Sequence, residues 1–141
     1  MYDRPTAPEL LDAVRTHLET HVVPAVKGDG KLYFQTLVAI NVLRVVEREL
    51  QLAPDHMAHE WARLDALSAP QDRPDDPRQQ AAALRERNKQ LCAQIRAGDY
   101  DGAAQKAALF EHVLTTSVEQ LQVANPRFLQ ALAQEDAVKP L

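Results

Sequence analysis

Between Lys31 and Leu52 the segment KLYFQTLVAINVLRVVERELQL spreads Leu32, Phe34, Val38, Ala39, Ile40, Val42, Leu43, Val45, Val46 and Leu50 over more than half of a helical wheel. Asn41, Arg44, Glu47, Arg48 and Gln51 share the narrow remainder. An apolar arc that wide needs neighbours on several sides. The pattern therefore predicts a core helix inside a bundle, not a surface helix lying on a sheet.

The rest of the chain is punctuated in helical phrases. Thr6 followed three residues later by Glu9 is a capping box, which starts a helix near Ala7. Leu10, Leu11, Val14, Leu18 and Val22 give it one apolar face, and Pro24 with Gly28 and Gly30 should end it. Pro54 should interrupt the Lys31 helix and restart the chain as a short helix with Met57, Trp61 and Leu64 on one side and Trp61 as its anchor. Ser68 to Pro77 holds three of the nine prolines and three aspartates, which predicts an exposed, mobile hinge loop, not a domain boundary.

Asp76, Pro77 and Gln79 then read as an N-terminal cap, with Gly98 as the left-handed stop after Ala97 and with Leu84, Leu91 and Ile95 as the buried stripe. Asp101 can cap a further helix whose Ala103, Ala107, Phe110, Leu114, Val118 and Leu121 recur at three- and four-residue steps. Asn125 and Pro126 open a last short helix with Phe128, Leu129 and Leu132, and residues 136–141 should fray. The expected fold is all-α: residues 1–141 as a single-domain bundle of five or six mostly antiparallel helices around the Lys31 helix.

Composition narrows the function classes. Hydrophobic residues make up 45 % but aromatics 5 %, with only 4 glycines, a helix-former's usage in a chain long enough to bury a core. A formal charge of −4 argues against nucleic acid as the main partner. The single Cys92 cannot form an internal disulfide, the N-terminus lacks a secretory pattern, and Asn41 and Arg44 interrupt the best candidate membrane span. A soluble cytoplasmic protein is expected.

Candidate chemistry is thin. Asn41, Arg44, Glu47 and Arg48 form a polar strip, while Glu49 projects into the apolar arc, where a carboxylate must find a partner or change its proton affinity. An arginine fork there could bind a carboxylate or phosphate, although a solvated face with structural ion pairs is the commoner outcome. Arg78, Arg85, Lys89 and Arg96 make a basic stripe on the Pro77 helix, readable as a surface for an acidic partner or as solvated charge. Asn88, inside the apolar stripe, reads as a buried hydrogen bond that fixes register. His17 and His21 have the spacing of a metal pair but lack a third ligand, so His21 reads as a core or interface histidine. His56, His59 and Glu60 do not make a metalloprotease motif, and Cys92 lies near the buried stripe without a histidine beside it in sequence. The expectation is no catalytic motif, no metal site and no cofactor.

The stretches YDRPTAPELLDAV, NVLRVVEREL, LCAQIRAG and VANPRF resemble a family of small bacterial proteins classed as a domain of unknown function. The resemblance covers most of the chain and is weakest in the middle loop. It implies genes beside acyl-CoA dehydrogenases and kinases similar to aminoglycoside phosphotransferases, hence an accessory role in acyl-CoA or hydroxyacyl-CoA breakdown. It carries over no catalytic residues. The leading expectation is an accessory or interaction protein that binds such an enzyme, or itself as a homodimer, through a helical face. The alternative is an acyl-CoA or nucleotide binder, or a cryptic enzyme, with a polar pocket of Asn41, Arg44, Arg48, Glu49, Asn88 and Arg96 between the Lys31 and Pro77 helices.

Overall fold

The computed structural model describes residues 4–138 and is all-α, with no strand among the described residues. Thr6 caps α1 (Ala7–His17) with the reciprocal pair expected: its backbone N–H donates to Glu9 Oε2 at 2.7 Å, and its hydroxyl accepts from the Glu9 amide at 3.4 Å. The helical stretch ends one residue past Pro24, at Ala25, and the chain turns before Gly30 as expected. Before that end the helix widens into a π-helical turn over Leu18–Val22, where the Val23 amide reaches back to the Leu18 carbonyl, and closes with the single turn α2 (Val23–Ala25). Proline lacks an N–H and crowds the carbonyl four residues back, and a widened turn accommodates both.

Asp29 opens α3 (Gly30–Leu67), its carboxylate accepting from the Leu32 amide at 3.0 Å. The break expected at Pro54 does not occur, for α3 continues through it as one helix of 38 residues. An interior proline costs on the order of 3 kcal/mol in an isolated helix. Here Met57, Trp61 and Leu64 beyond it pack into a core, which offsets that loss. Pro54 is still a boundary of another kind, since the chain divides into two compact units, Met1–Ala53 and Pro54–Leu141.

In the first unit, Arg15 on α1 lies 3.6 Å from Glu47 on α3, and Arg44 on α3 is paired with Glu19 of the π turn. The two ion pairs run in opposite chain directions, so the helices form an antiparallel hairpin. Thr36 and Ile40 are the residues of α3 buried in this unit, flanked by half-buried Leu43 and Glu47. Only part of the wide apolar arc, Ile40 with half-buried Leu43 and Val45, is therefore core. Phe34, Val38, Val42, Val46 and Leu50 stand between 36 % and 65 % exposed.

The second unit holds the main core: Trp61 and Leu64 of α3, Leu84 and Leu91 of α4 (Pro77–Ala97), and Tyr100, with Met57, Leu67, Ala83 and Leu109 packed around them. Trp61 is the anchor its sequence context predicts, donating from Nε1 to the Gln71 carbonyl at 3.2 Å, while the Gln71 amide donates to Asp65. The loop after α3 is thus tied down at Gln71. Asp76 accepts from the Arg78 and Gln79 amides, each at 2.9 Å, as a proper N-cap. Gly98 ends α4 at φ 87°, where any added Cβ would also lie 3.0 Å from Asp101 Oδ2.

Two details of these later helices differ from expectation. Ile95 is exposed, and Gly102 in place of Asp101 caps α5 (Ala103–Ala124), without a side-chain hydrogen bond. Asn125 caps α6 (Pro126–Val138) as expected, through Oδ1 to the Phe128 amide at 3.3 Å. The fraying expected over 136–141 falls, from residue 139 onward, outside the described residues.

Leu64 is the most buried large side chain, 1 % exposed. Leu64→Ala should lower urea-unfolding stability by about 2–5 kcal/mol, the cost of lost burial plus a residual cavity. Thr6→Ala should cost about 1 kcal/mol, as for loss of an exposed cap.

Candidate functional site

A polar cluster in the second unit is the densest concentration of chemistry among the described residues. It exists because α5 presents Leu109, His112, Thr116, Glu119 and Val123 to its neighbours, a three- and four-residue spacing that gives one helical face. The stripe of Phe110 and Leu114 lies roughly half a turn away on an ideal wheel and points outward, Phe110 being 63 % exposed. Of the stripe that periodicity picks out on α5, Phe110 and Leu114 are exposed while Val118 and Leu121 are half-buried. The reason for this facing lies on α3. Arg63 donates from Nη1 to Glu119 Oε1 at 3.0 Å, from Nη2 to Oε2 at 2.6 Å, and from Nη2 to the Thr116 hydroxyl at 3.2 Å. A two-pronged pair of this kind fixes the rotation of both helices.

Around that fork sit Glu60, His59 and His112. Glu60 accepts from Asn88 Nδ2 at 2.7 Å, so Asn88 makes the register-fixing hydrogen bond expected of it, with a partner on α3. His59 Nδ1 stands 3.7 Å from Glu119 Oε1. His112 is 4 % exposed, and its Nδ1 is buried without a hydrogen-bond partner in the protein. Burial lowers its pKa from 6.5 and the Arg63 charge lowers it further, against the opposing pull of Glu60 and Glu119. His112 is therefore neutral in the fold at pH 7.

A second buried cation completes the picture. Arg87 occupies the spacing Gln80, Leu84, Arg87, Leu91 that makes the inner face of α4, and it is 4 % exposed. Its guanidinium lies 4.7 Å above the Trp61 ring, and Nη2 stands 2.8 Å from Asp65 Oδ1. Neither Nη makes an aligned hydrogen bond. The charge is held by Coulombic attraction and by the ring face, both stronger away from water. Arg63, Arg87, His112 and Glu119 do not stand out in the sequence, because the apolar positions of a helix are ordinarily its inward ones. The signal available was the polar set at heptad spacing.

The residues singled out from the sequence divide between the units. Asn41, Arg44, Arg48 and Glu49 lie on α3 in the first, and Asn88 and Arg96 on α4 in the second. Arg44 is committed to Glu19 and Asn88 to Glu60. Glu49 is exposed among exposed apolar neighbours, so its placement in the arc leaves it in water. Arg78, Arg85, Lys89 and Arg96 are all exposed on α4, with Lys89 3.3 Å from Glu86. His17 and His21 pack ring to ring at 5.1 Å, and His21 is exposed, which excludes the core half of the core-or-interface expectation. Cys92 is exposed as well, although its sequence neighbours placed it near the buried stripe. Among the described residues no group of three His, Cys, Asp or Glu side chains is arranged to hold a metal ion, and no helix is long and apolar enough to cross a membrane.

Two cavities lie within the second unit. One of about 230 Å³ is lined by Ser68, Gln71, Arg87, Gln90 and Gln94 with Leu64 and Leu91, and one of about 170 Å³ by Arg63, Glu111, His112 and Thr115 with Leu67. Both fall below the roughly 300–1,000 Å³ of typical ligand pockets. Of the charged groups that line them, Arg87 faces Asp65 and Arg63 is forked onto Glu119. The pairs Arg63–Glu119 and Arg87–Asp65 orient the helices against one another.

Residues 24–128 match the family model DUF6285, a domain of unknown function, and the chain belongs to that family. No curated protein and no solved structure matches it.

The depressed pKa of His112 makes stability depend on pH. The unfolded imidazole takes up a proton near pH 6.5 while the folded one does not until lower pH, so the unfolded state binds more protons in between. Stability from this group is complete above 6.5 and is lost as the pH falls through the folded value. His112→Gln should remove that component: the gap between variant and wild-type urea midpoints should change below pH 6.5 and stay constant above it. A gap that is constant throughout would mean that His112 titrates normally.

Proposed function

We propose that this member of the DUF6285 family is a cytoplasmic interaction protein, not an enzyme, and that it docks a protein partner through the outward face of α5. The observation that carries this reading is the apolar cluster that the first half of that helix turns outward. Phe110, Val113 and Leu114 stand 46–63 % exposed while His112, Thr116 and Glu119 turn inward. Scattered exposed apolar residues are ordinary, but a cluster on one helix face headed by an aromatic is the usual mark of a docking surface. Turning the face outward leaves it in water unless something covers it. The pairing of Arg63 with Glu119 and of Arg87 with Asp65 supports the same reading, since these charges hold helices against one another.

The finer assignment rests on the resemblance in sequence. It makes the partner an enzyme of bacterial acyl-CoA or hydroxyacyl-CoA breakdown, either a dehydrogenase or a kinase similar to aminoglycoside phosphotransferases. Affinity purification of the tagged chain from its native host should recover such an enzyme. The double variant Phe110→Asp with Leu114→Asp should lose it while keeping the helical circular-dichroism signal. Recovery of the tagged chain alone from the wild-type purification would overturn the proposal.

A further inference from the structure

The first unit carries an apolar surface of its own, separate from the α5 face. Phe34, Val38, Val42, Val46 and Leu50 follow one another in steps of four along α3, a single ridge that drifts about 40° per step around the helix. All five are exposed, Phe34 most of all at 65 %. The ridge lies opposite the face of Thr36, Ile40 and Glu47 that meets α1. Towards its C-terminal end it drifts to the flank of the hairpin. The pairs Arg15–Glu47 and Glu19–Arg44 set the level of α1 against α3, so Leu10 and Val14 stand within one helical turn of Leu50 and Val46. Both are half exposed, and the wheel places them on that same flank.

We infer that the occupant of this ridge is a second copy of the chain, lying antiparallel across a two-fold axis at Val42. The ridge is self-complementary in that orientation. Phe34 falls opposite Leu50 of the second copy, in the patch that Leu10 and Val14 extend, and Val38 falls opposite Val46. The charges at its edges select the same arrangement. Parallel packing would set Lys31 against Lys31 and Glu49 against Glu49, two like-charge contacts at an apolar surface. Antiparallel packing brings Glu49 opposite Gln35, which can donate to it, and within one turn of Lys31.

The area is adequate. Ridge residues with Leu10 and Val14 expose on the order of 500 Å² of side chain, and with Lys31, Gln35, Asn41 and Glu49 as a rim this approaches the roughly 800 Å² per partner of a standard interface. A two-helix hairpin with so few buried residues also gains most from such a partner, because four helices enclose a core that two cannot.

Sedimentation equilibrium on the purified full chain tests this without reference to any other protein. Wild type should weigh twice 15.8 kDa at micromolar concentration. Val42→Lys, which sets two lysines against each other on the axis, should weaken self-association at least 100-fold while circular dichroism shows the helices intact. Val38→Lys combined with Val46→Glu places opposite charges across the antiparallel pair and should restore the dimer. A monomeric wild type, a dimer indifferent to Val42→Lys, or a charge-swapped double variant that stays monomeric would each overturn the inference. Because these substitutions lie on α3 and the mass is read on purified protein, failure here leaves the α5 proposal untouched, and the converse also holds.

Discussion

A guanidinium and a carboxylate can leave water only in each other's company, and Arg63 and Glu119 set the rotation of two helices by that rule. Once the fork closes, Thr116 and His112 follow Glu119 to the inner side of α5 and meet Glu60 and Arg63 there. Breaking either half would strand the other as a partly buried charge, which costs more than an apolar exchange of both. The Arg87–Asp65 contact does the same for α4 against α3, with the Trp61 ring replacing part of the lost water. The second unit is therefore specified by polar pairings as much as by its core of Trp61, Leu64, Leu84 and Leu91.

That division explains which features could be read from the sequence. Helix ends depend on local chemistry, and Thr6 with Glu9, Asp76 with Pro77, Gly98 and Asn125 all work within a few residues of where they stand. Helix facing depends on distant partners. Periodicity locates a stripe on Phe110 and Leu114 but does not say whether protein or solvent lies beside it. Pro54 is intermediate: local chemistry argues for a break, and the tertiary packing of Met57 and Trp61 keeps the helix whole while the compact units still part at that residue. Asn88 was legible as a buried hydrogen bond because an amide inside an apolar stripe has few other outcomes. Its partner Glu60 was not, since nothing near it in sequence marks it.

The inward polar and outward apolar faces of α5 and α3 have a common physical sense. Folding satisfies the ionisable groups first, since leaving them buried and unpaired is the larger cost. The apolar faces left outside then become the available surface for association. In this chain a buried neutral histidine lies beside carboxylates and arginines, while apolar side chains such as Phe34 and Phe110 face outward.

The ridge on α3 has one more consequence, which concerns valence. A surface that reads the same from either end joins two copies and no more, because the two-fold axis closes on itself and cannot propagate into a filament. In the dimer proposed above, every other surface of the chain would occur twice in one particle. A partner bound through α5 would be met by two equal sites, and any enzyme that is itself two-fold symmetric could be held by both at once, with the second attachment set by effective concentration instead of affinity.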